Sequence, residues 1–192
     1  MSVLEAESEA LLKAIRRLLV ERNVMTEAEI ARQRQAADSA EPGQGARMVA
    51  RAWTDPAYRA LMLSDGTKAA EAMNIPMRGM PPLGVLENTH EAHHLVVCTL
   101  CSCYPKAVLG YPPYWYKSSA YRARAVRDPR GLLAEFGTVL PQDLKIRVVD
   151  SSADYRWMVL PQRPQGTEGW SVERLVALVR PGDMIGVTVP GA

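Results

Sequence analysis

Val97-Cys98-Thr99-Leu100-Cys101-Ser102-Cys103-Tyr104 holds every cysteine of the 192-residue chain. Thiols spaced Cys-x-x-Cys-x-Cys cannot all pair as disulfides, and they are too crowded to be incidental core residues. One soft-metal site on a tight loop is the simplest reading. Three others stay open, one of them reactive thiols with no metal. Cys-x-x-Cys is often half of a zinc site, whose remaining ligand would come from His90, His93 or His94. A redox pair is the last reading, and it leaves the third cysteine unexplained. The amides of Ser102 and Cys103 lie between and beside the outer sulfurs, so one ion could meet three sulfurs and two nitrogens. Deprotonated, that set carries five negative charges, which suits a trivalent ion better than zinc. It also leaves one octahedral position open for water or substrate, as a catalytic site requires.

Working outward, Leu83 to Leu86 and Leu95 to Val97 are short apolar runs that read as buried strands. The second leads straight into the cysteine loop, which anchors the site on a rigid element. Upstream, residues 46 to 73 are helical in pattern, with a start at Asp55-Pro56 and a stop at Ser64-Asp65-Gly66. The stretch from Ile75 to Pro82 has no period and reads as loop. Downstream, Gly110-Tyr111-Pro112-Pro113 is irregular. Ser119 caps a helix whose Arg122, Arg124 and Arg127 read as a solvated face. Ile146 to Val149, Trp157 to Leu160 and Met184 to Val189 read as strands, and a helix runs from Ser171 to Pro181-Gly182. The expected class is α+β, a layered domain over 46–192 with a mixed β-sheet and flanking helices.

Residues 1–45 read as a helical arm and linker. Leu4, Leu11, Leu12, Ile15, Leu18 and Leu19 recur at helical spacing, and Thr26 with Glu29 forms a capping box for a second helix. Asp38 to Gly45 reads as the linker. Two short helices have little core of their own, so the arm is expected to lie on a partner subunit. The formal charge of +2 gives no reason to invoke nucleic acid or an anionic membrane. No apolar run approaches the ~20 residues needed to cross a bilayer. The start, Met1 to Glu9, is acidic where a signal peptide would be basic, and free thiols then point to the cytoplasm.

The loop resembles the metal-binding loop of the nitrile hydratase alpha subunit, in the form with Thr after the first Cys. Trp53-Thr54-Asp55-Pro56, Ser64-Asp65-Gly66-Thr67 and Glu87-Asn88-Thr89 resemble that family's upstream segments. Leu109 to Pro113, Trp115-Tyr116-Lys117, Tyr121 to Arg124, Asp150-Ser151-Ser152, Met158 to Pro164 and Gly166 to Trp170 resemble its downstream ones. The likeness covers roughly residues 45 to 190.

The resemblance implies a catalytic subunit that hydrates a nitrile to the amide. It implies metal ligation by the sulfurs of Cys98, Cys101 and Cys103 and the amides of Ser102 and Cys103. It also implies a sulfinic acid at Cys101 and a sulfenic acid at Cys103, both on the ordinary oxidation ladder of a thiolate. The attacking nucleophile is then the Cys103 sulfenate oxygen or a water it activates. In the family, Thr at the position of Thr99 goes with cobalt and Ser with iron, so Co(III) is expected over iron. A beta subunit would receive the arm and supply arginines to the oxidised cysteines, and an activator protein would load cobalt. The histidines are expected as surface or hydrogen-bonding residues rather than ligands. Where the family has aromatic and polar residues, this chain has Met73, Asn74, Ile75 and Met77 to Pro82. Met73, Ile75 and Met80 are therefore the expected pocket residues. Their substrate would be a bulky or heteroaromatic nitrile, as in the relative that acts on the cyanated nucleoside toyocamycin. The alternatives are the catalytic subunit of a thiocyanate hydrolase, which has the same loop, and a non-catalytic zinc or redox module.

Overall fold

A computed structural model describes residues 3–38, 41–101 and 103–191, and the chain divides into two units, Met1–Ser39 and Ala40–Ala192. The first unit is a helix pair, α1 (Val3–Glu21) and α2 (Glu27–Asp38). The capping box forms in both directions: Glu29 accepts from the Thr26 amide at 2.7 Å, and Thr26 Oγ1 accepts from the Glu29 amide at 3.2 Å. Arg16 pairs with Glu27 across the turn. Ile30 is the one large aliphatic residue of α2. The stripe of Leu11, Leu12, Ile15 and Leu18 on α1 stays exposed. Among the described residues, no helix is long and apolar enough to cross a membrane.

The second unit opens with α3 (Pro42–Thr54), α4 (Pro56–Ser64) and α5 (Gly66–Glu71). The end of the expected linker is thus helical. Pro42 and Gly43, which read as breakers, lie in the first turn of α3, where a proline gives up no needed N–H. Gly45 serves close packing, since a Cβ there would stand 2.7 Å from Leu109 Cδ2 and from Met184 Sδ. Asp55 and Asp65 cap the next two helices, accepting from the Tyr58 and Lys68 amides at 3.0 and 2.9 Å. The expected stop at Ser64-Asp65-Gly66 therefore also begins a helix.

Strands β1 (Leu83–Glu87) and β2 (Ala92–Val97) follow, then α6 (Lys106–Leu109), α7 (Tyr114–Lys117), α8 (Ser119–Arg127), α9 (Pro129–Glu135), β3 (Lys145–Asp150), β4 (Arg156–Leu160) and α10 (Val172–Leu178). The cap of α8 is Ser118, one residue before the expected Ser119. The class is α+β, but the strands form two parallel pairs, β1 with β4 and β2 with β3, rather than one mixed sheet. The segment expected as a last strand, Met184 to Val189, is a chain of turns wedged between the pairs. Its Met184 and Ile185 carbonyls accept from Val159 of β4 and Val96 of β2, both at 2.8 Å. Gly186 explains why it turns: φ is +86°, and a Cβ there would stand 1.9 Å from His94 O. Met184, Ile185 and Val187 are buried because this wedge fills the core, which is why the run looked like a strand.

Candidate metal centre

Strand β2 is buried along its whole length and delivers Cys98 at its end. The parallel register sets Val97 opposite Asp150, so β3 ends beside the loop. There the Asp150 carboxylate accepts from the Thr99 amide at 3.0 Å and from the Thr99 hydroxyl. Ser151 donates its amide to Val97 O at 2.7 Å, and Arg122 Nη1 donates to Thr99 O at 3.3 Å. Arg122 thus holds the loop as well as belonging to the arginine row. Two buried phenols grip the backbone from behind: Tyr116 donates to Cys103 O at 2.8 Å and Tyr121 to Val96 O at 2.7 Å. Burial raises both phenol pKa values far above the ordinary range, so they remain donors. Tyr104 packs edge-on against Tyr116, and Trp115 against Tyr121 and Phe136, which makes this backing rigid.

Held this way, the loop gathers its thiols. The sulfurs of Cys98, Cys101 and Cys103 lie within 4.8 Å of one another. Cys98 to Cys101 is 3.4 Å and Cys101 to Cys103 is 2.9 Å. Two sulfurs ~2.3 Å from one ion stand about 3.3 Å apart at a right angle and about 3.8 Å apart at the tetrahedral angle. The first distance matches right-angle ligation and the second is shorter than either spacing, so the loop gathers its thiols closely enough for one ion without fixing that ion's geometry. The Cys101 amide donates to Cys98 Sγ at 3.2 Å. Burial first, then hydrogen bonding with Cys101 and Cys98, pushes the Cys103 thiol up to about 12, while Arg156 pulls it back. A cation must therefore displace that proton to make the thiolate. Ser102 lies outside the described residues.

No histidine or carboxylate joins this cluster among the described residues. His90 is exposed. His93 and His94 are buried rather than on the surface, and both are hydrogen-bonded to Asn88.

A cavity of about 400 Å³ opens on Cys101 and Cys103. Of the three expected pocket residues, Met80 lines it. Ile75 and Met73 do not: Ile75 is in the core and Met73 packs against it. The left-handed Asn74 (φ +59°) turns the chain after α5, and the Ile75 amide returns to Ala70 O. Met77, Leu83 and Val108 form apolar wall in their place, with Tyr104, Lys106 and Arg156. The Tyr104 hydroxyl and Arg156 Nη1 are buried with no hydrogen-bond partner. Sequence reasoning missed Asp150, Lys106, Tyr104 and Arg156 as site residues. Only Lys106 and Tyr104, adjacent to the loop, carried a local signal.

The nitrile hydratase alpha-chain model matches residues 6–188. The low-molecular weight cobalt-containing nitrile hydratase subunit alpha of Rhodococcus rhodochrous is 55% identical over 78% of this chain and 72% of its own. Thiocyanate hydrolase subunit gamma of Thiobacillus thioparus is 40% identical over 96% of this chain and 81% of its own. A double mutant of the Fe-type nitrile hydratase from Comamonas testosteroni Ni1 superposes with a TM-score of 0.83 at 41% identity, covering 96% of this chain and 91% of that one. A thiol cluster spaced for one ion, on a fold and a sequence shared this far, places the chain in the nitrile hydratase alpha-chain family.

Proposed function

We propose that this chain is the catalytic subunit of a cobalt nitrile hydratase, adding water across a nitrile to give the amide (R–C≡N + H₂O → R–CO–NH₂). The observation that carries it is the gathering of three sulfurs within 4.8 Å of one another beside an otherwise mostly apolar cavity. Cys98, Cys101 and Cys103 hold the ion, with the amides of Ser102 and Cys103 as the nitrogen donors. Cobalt rather than iron is supported by the cobalt-containing relative at 55% identity. When bound, the trivalent ion supplies a Lewis acid that makes the nitrile carbon electrophilic.

The chain's own residues do the rest. Cys101 carries a sulfinic and Cys103 a sulfenic acid, and the Cys103 oxygen attacks the carbon or activates the water that does. Arg156, near enough to lower the Cys103 pKa and lacking a partner at Nη1, offsets the charge on those oxygens. Tyr116 and Asp150 keep the loop from shifting during turnover. Met77, Met80 and Leu83 exclude water from the cavity and give it an apolar wall. The exposed α1 stripe of the arm packs on a beta subunit, whose arginines complete the cover of the oxidised cysteines. An activator protein loads the cobalt in the cytoplasm.

A second reading, the catalytic subunit of a thiocyanate hydrolase, is favoured by the two cations of the cavity wall, Lys106 and Arg156. Native mass spectrometry of the chain, co-produced with its partner subunits in cobalt medium, tests the site. One cobalt and three added oxygens are expected, two on Cys101 and one on Cys103. One zinc with unmodified thiols would reject the site chemistry.

A further inference from the structure

The charged side chains in the cavity wall are Lys106 and Arg156, and neither has a carboxylate partner among the described residues. Arg156 acts on Cys103. Lys106 is half-buried, three residues beyond Cys103, and its ammonium stands 4.0 Å from the centroid of the Tyr111 ring. That ring, at the rim rather than in the lining, holds the ammonium by cation–π attraction without neutralising it. Five anionic donors around a trivalent ion leave the centre net negative, so an anion entering the cavity is repelled unless a cation lines its path. We propose that Lys106 is a specificity-determining residue that selects anionic substrates, either a nitrile bearing a remote carboxylate or thiocyanate itself. This rests on reading the cavity as the substrate site.

The test uses the assembled holoenzyme as wild type, Lys106→Met and Lys106→Arg. Its substrates are 3-cyanopropionate, thiocyanate and butyronitrile, the last a neutral nitrile of matching length. A half-exposed ammonium keeps only part of its Coulomb attraction. The anionic-over-neutral ratio of kcat/KM is therefore expected to fall about tenfold in Lys106→Met (~1.4 kcal/mol), through KM, and to be retained in Lys106→Arg. A fall confined to thiocyanate identifies that anion; a fall for 3-cyanopropionate identifies a remote carboxylate. A ratio unchanged within twofold in Lys106→Met overturns the proposal. If nothing is turned over, the functional reading fails by itself. Calorimetric binding of 3-cyanopropionate then still decides the role of Lys106, and equal Kd for wild type and Lys106→Met overturns it.

Discussion

Removing the Asp150 carboxylate is expected to loosen the sulfur cluster without touching a ligand. In Asp150→Ala the Thr99 amide and hydroxyl lose the acceptor they share. Charge-assisted hydrogen bonds contribute ~1.5–3 kcal/mol each when sheltered. Asp150 and Thr99 are both exposed, so water replaces much of that, and about 1–2 kcal/mol in total is a fair discount. If this energy is what positions the loop, affinity for divalent cobalt falls about 5–30-fold, since 1.4 kcal/mol is a factor of ten. Chelator competition on the chain under reducing conditions reads the affinity, and the thiolate-to-cobalt absorption band reads the geometry. Asp150→Asn retains one acceptor and should fall between. Thr99→Ser keeps the hydroxyl and should lie near wild type, whereas Thr99→Val should lose part of the effect. An Asp150→Ala chain with cobalt affinity within twofold of wild type and an unmoved band refutes the reasoning. Tyr116, Tyr121 and Arg122 would then be sufficient to hold the loop. A serine offers Asp150 the same hydroxyl, so nothing in this structure explains how one methyl group would choose cobalt over iron.

Two further outcomes follow from the wedge between the strand pairs. His93 Nε2 donates to Gly186 O at 2.7 Å, and its Nδ1 accepts from the Asn88 amide nitrogen at 3.1 Å, so the ring must be neutral. Burial accordingly holds its pKa below 6.5, the folded state binds fewer protons than the unfolded one, and this contribution to stability is complete above pH 6.5 and lost as the pH falls below it. A melting temperature that stays flat from pH 7.5 to 5.5 would contradict this. Gly186→Ala sets a Cβ 1.9 Å from His94 O at φ +86°. It should cost at least ~3 kcal/mol, about 6–12 °C in melting temperature, and a soluble variant within 2 °C of wild type would show that the wedge yields.

What could be read from the sequence depended on how local the cause was. Cys98, Cys101 and Cys103 declare themselves because one turn of chain holds them all. The Thr26–Glu29 box and the Asp55-Pro56 start are likewise complete within four residues. Pro42 to Gly45 misled because a proline or glycine ends a helix in one position and begins or packs one in another, and only the neighbours Leu109 and Met184 decide which. Met184 to Val189 misled for the same reason. Apolar residues bury themselves equally well in a strand or in a wedge, and the deciding contact is with His94, some ninety residues away. Asp150 and Arg156 were unreadable as site residues because their place depends on the parallel registers of β3 with β2 and β4 with β1.

Those registers also explain why the site is one-sided. Parallel pairing brings the carboxyl ends of β2 and β3 together, and the groups that fix the loop, Asp150, Ser151, Arg122, Tyr116 and Tyr121, approach it through backbone or through Thr99. None of these hydrogen bonds is spent on a sulfur. On the other side Cys101 is exposed and Leu100, at the loop tip, is 88% exposed. Rigid behind and exposed in front is the arrangement a reactive sulfur cluster requires, since metal and oxygen must reach the sulfurs; within the loop, Cys98 Sγ accepts from the Cys101 amide. In the proposed oxidised state, the charge on two sulfurs exceeds what Arg156 by itself offsets. Further cations would then reach the cluster past the exposed loop tip, where Leu100 presents apolar surface. In the proposed complex the beta subunit supplies both, covering that surface and bringing the arginines with it.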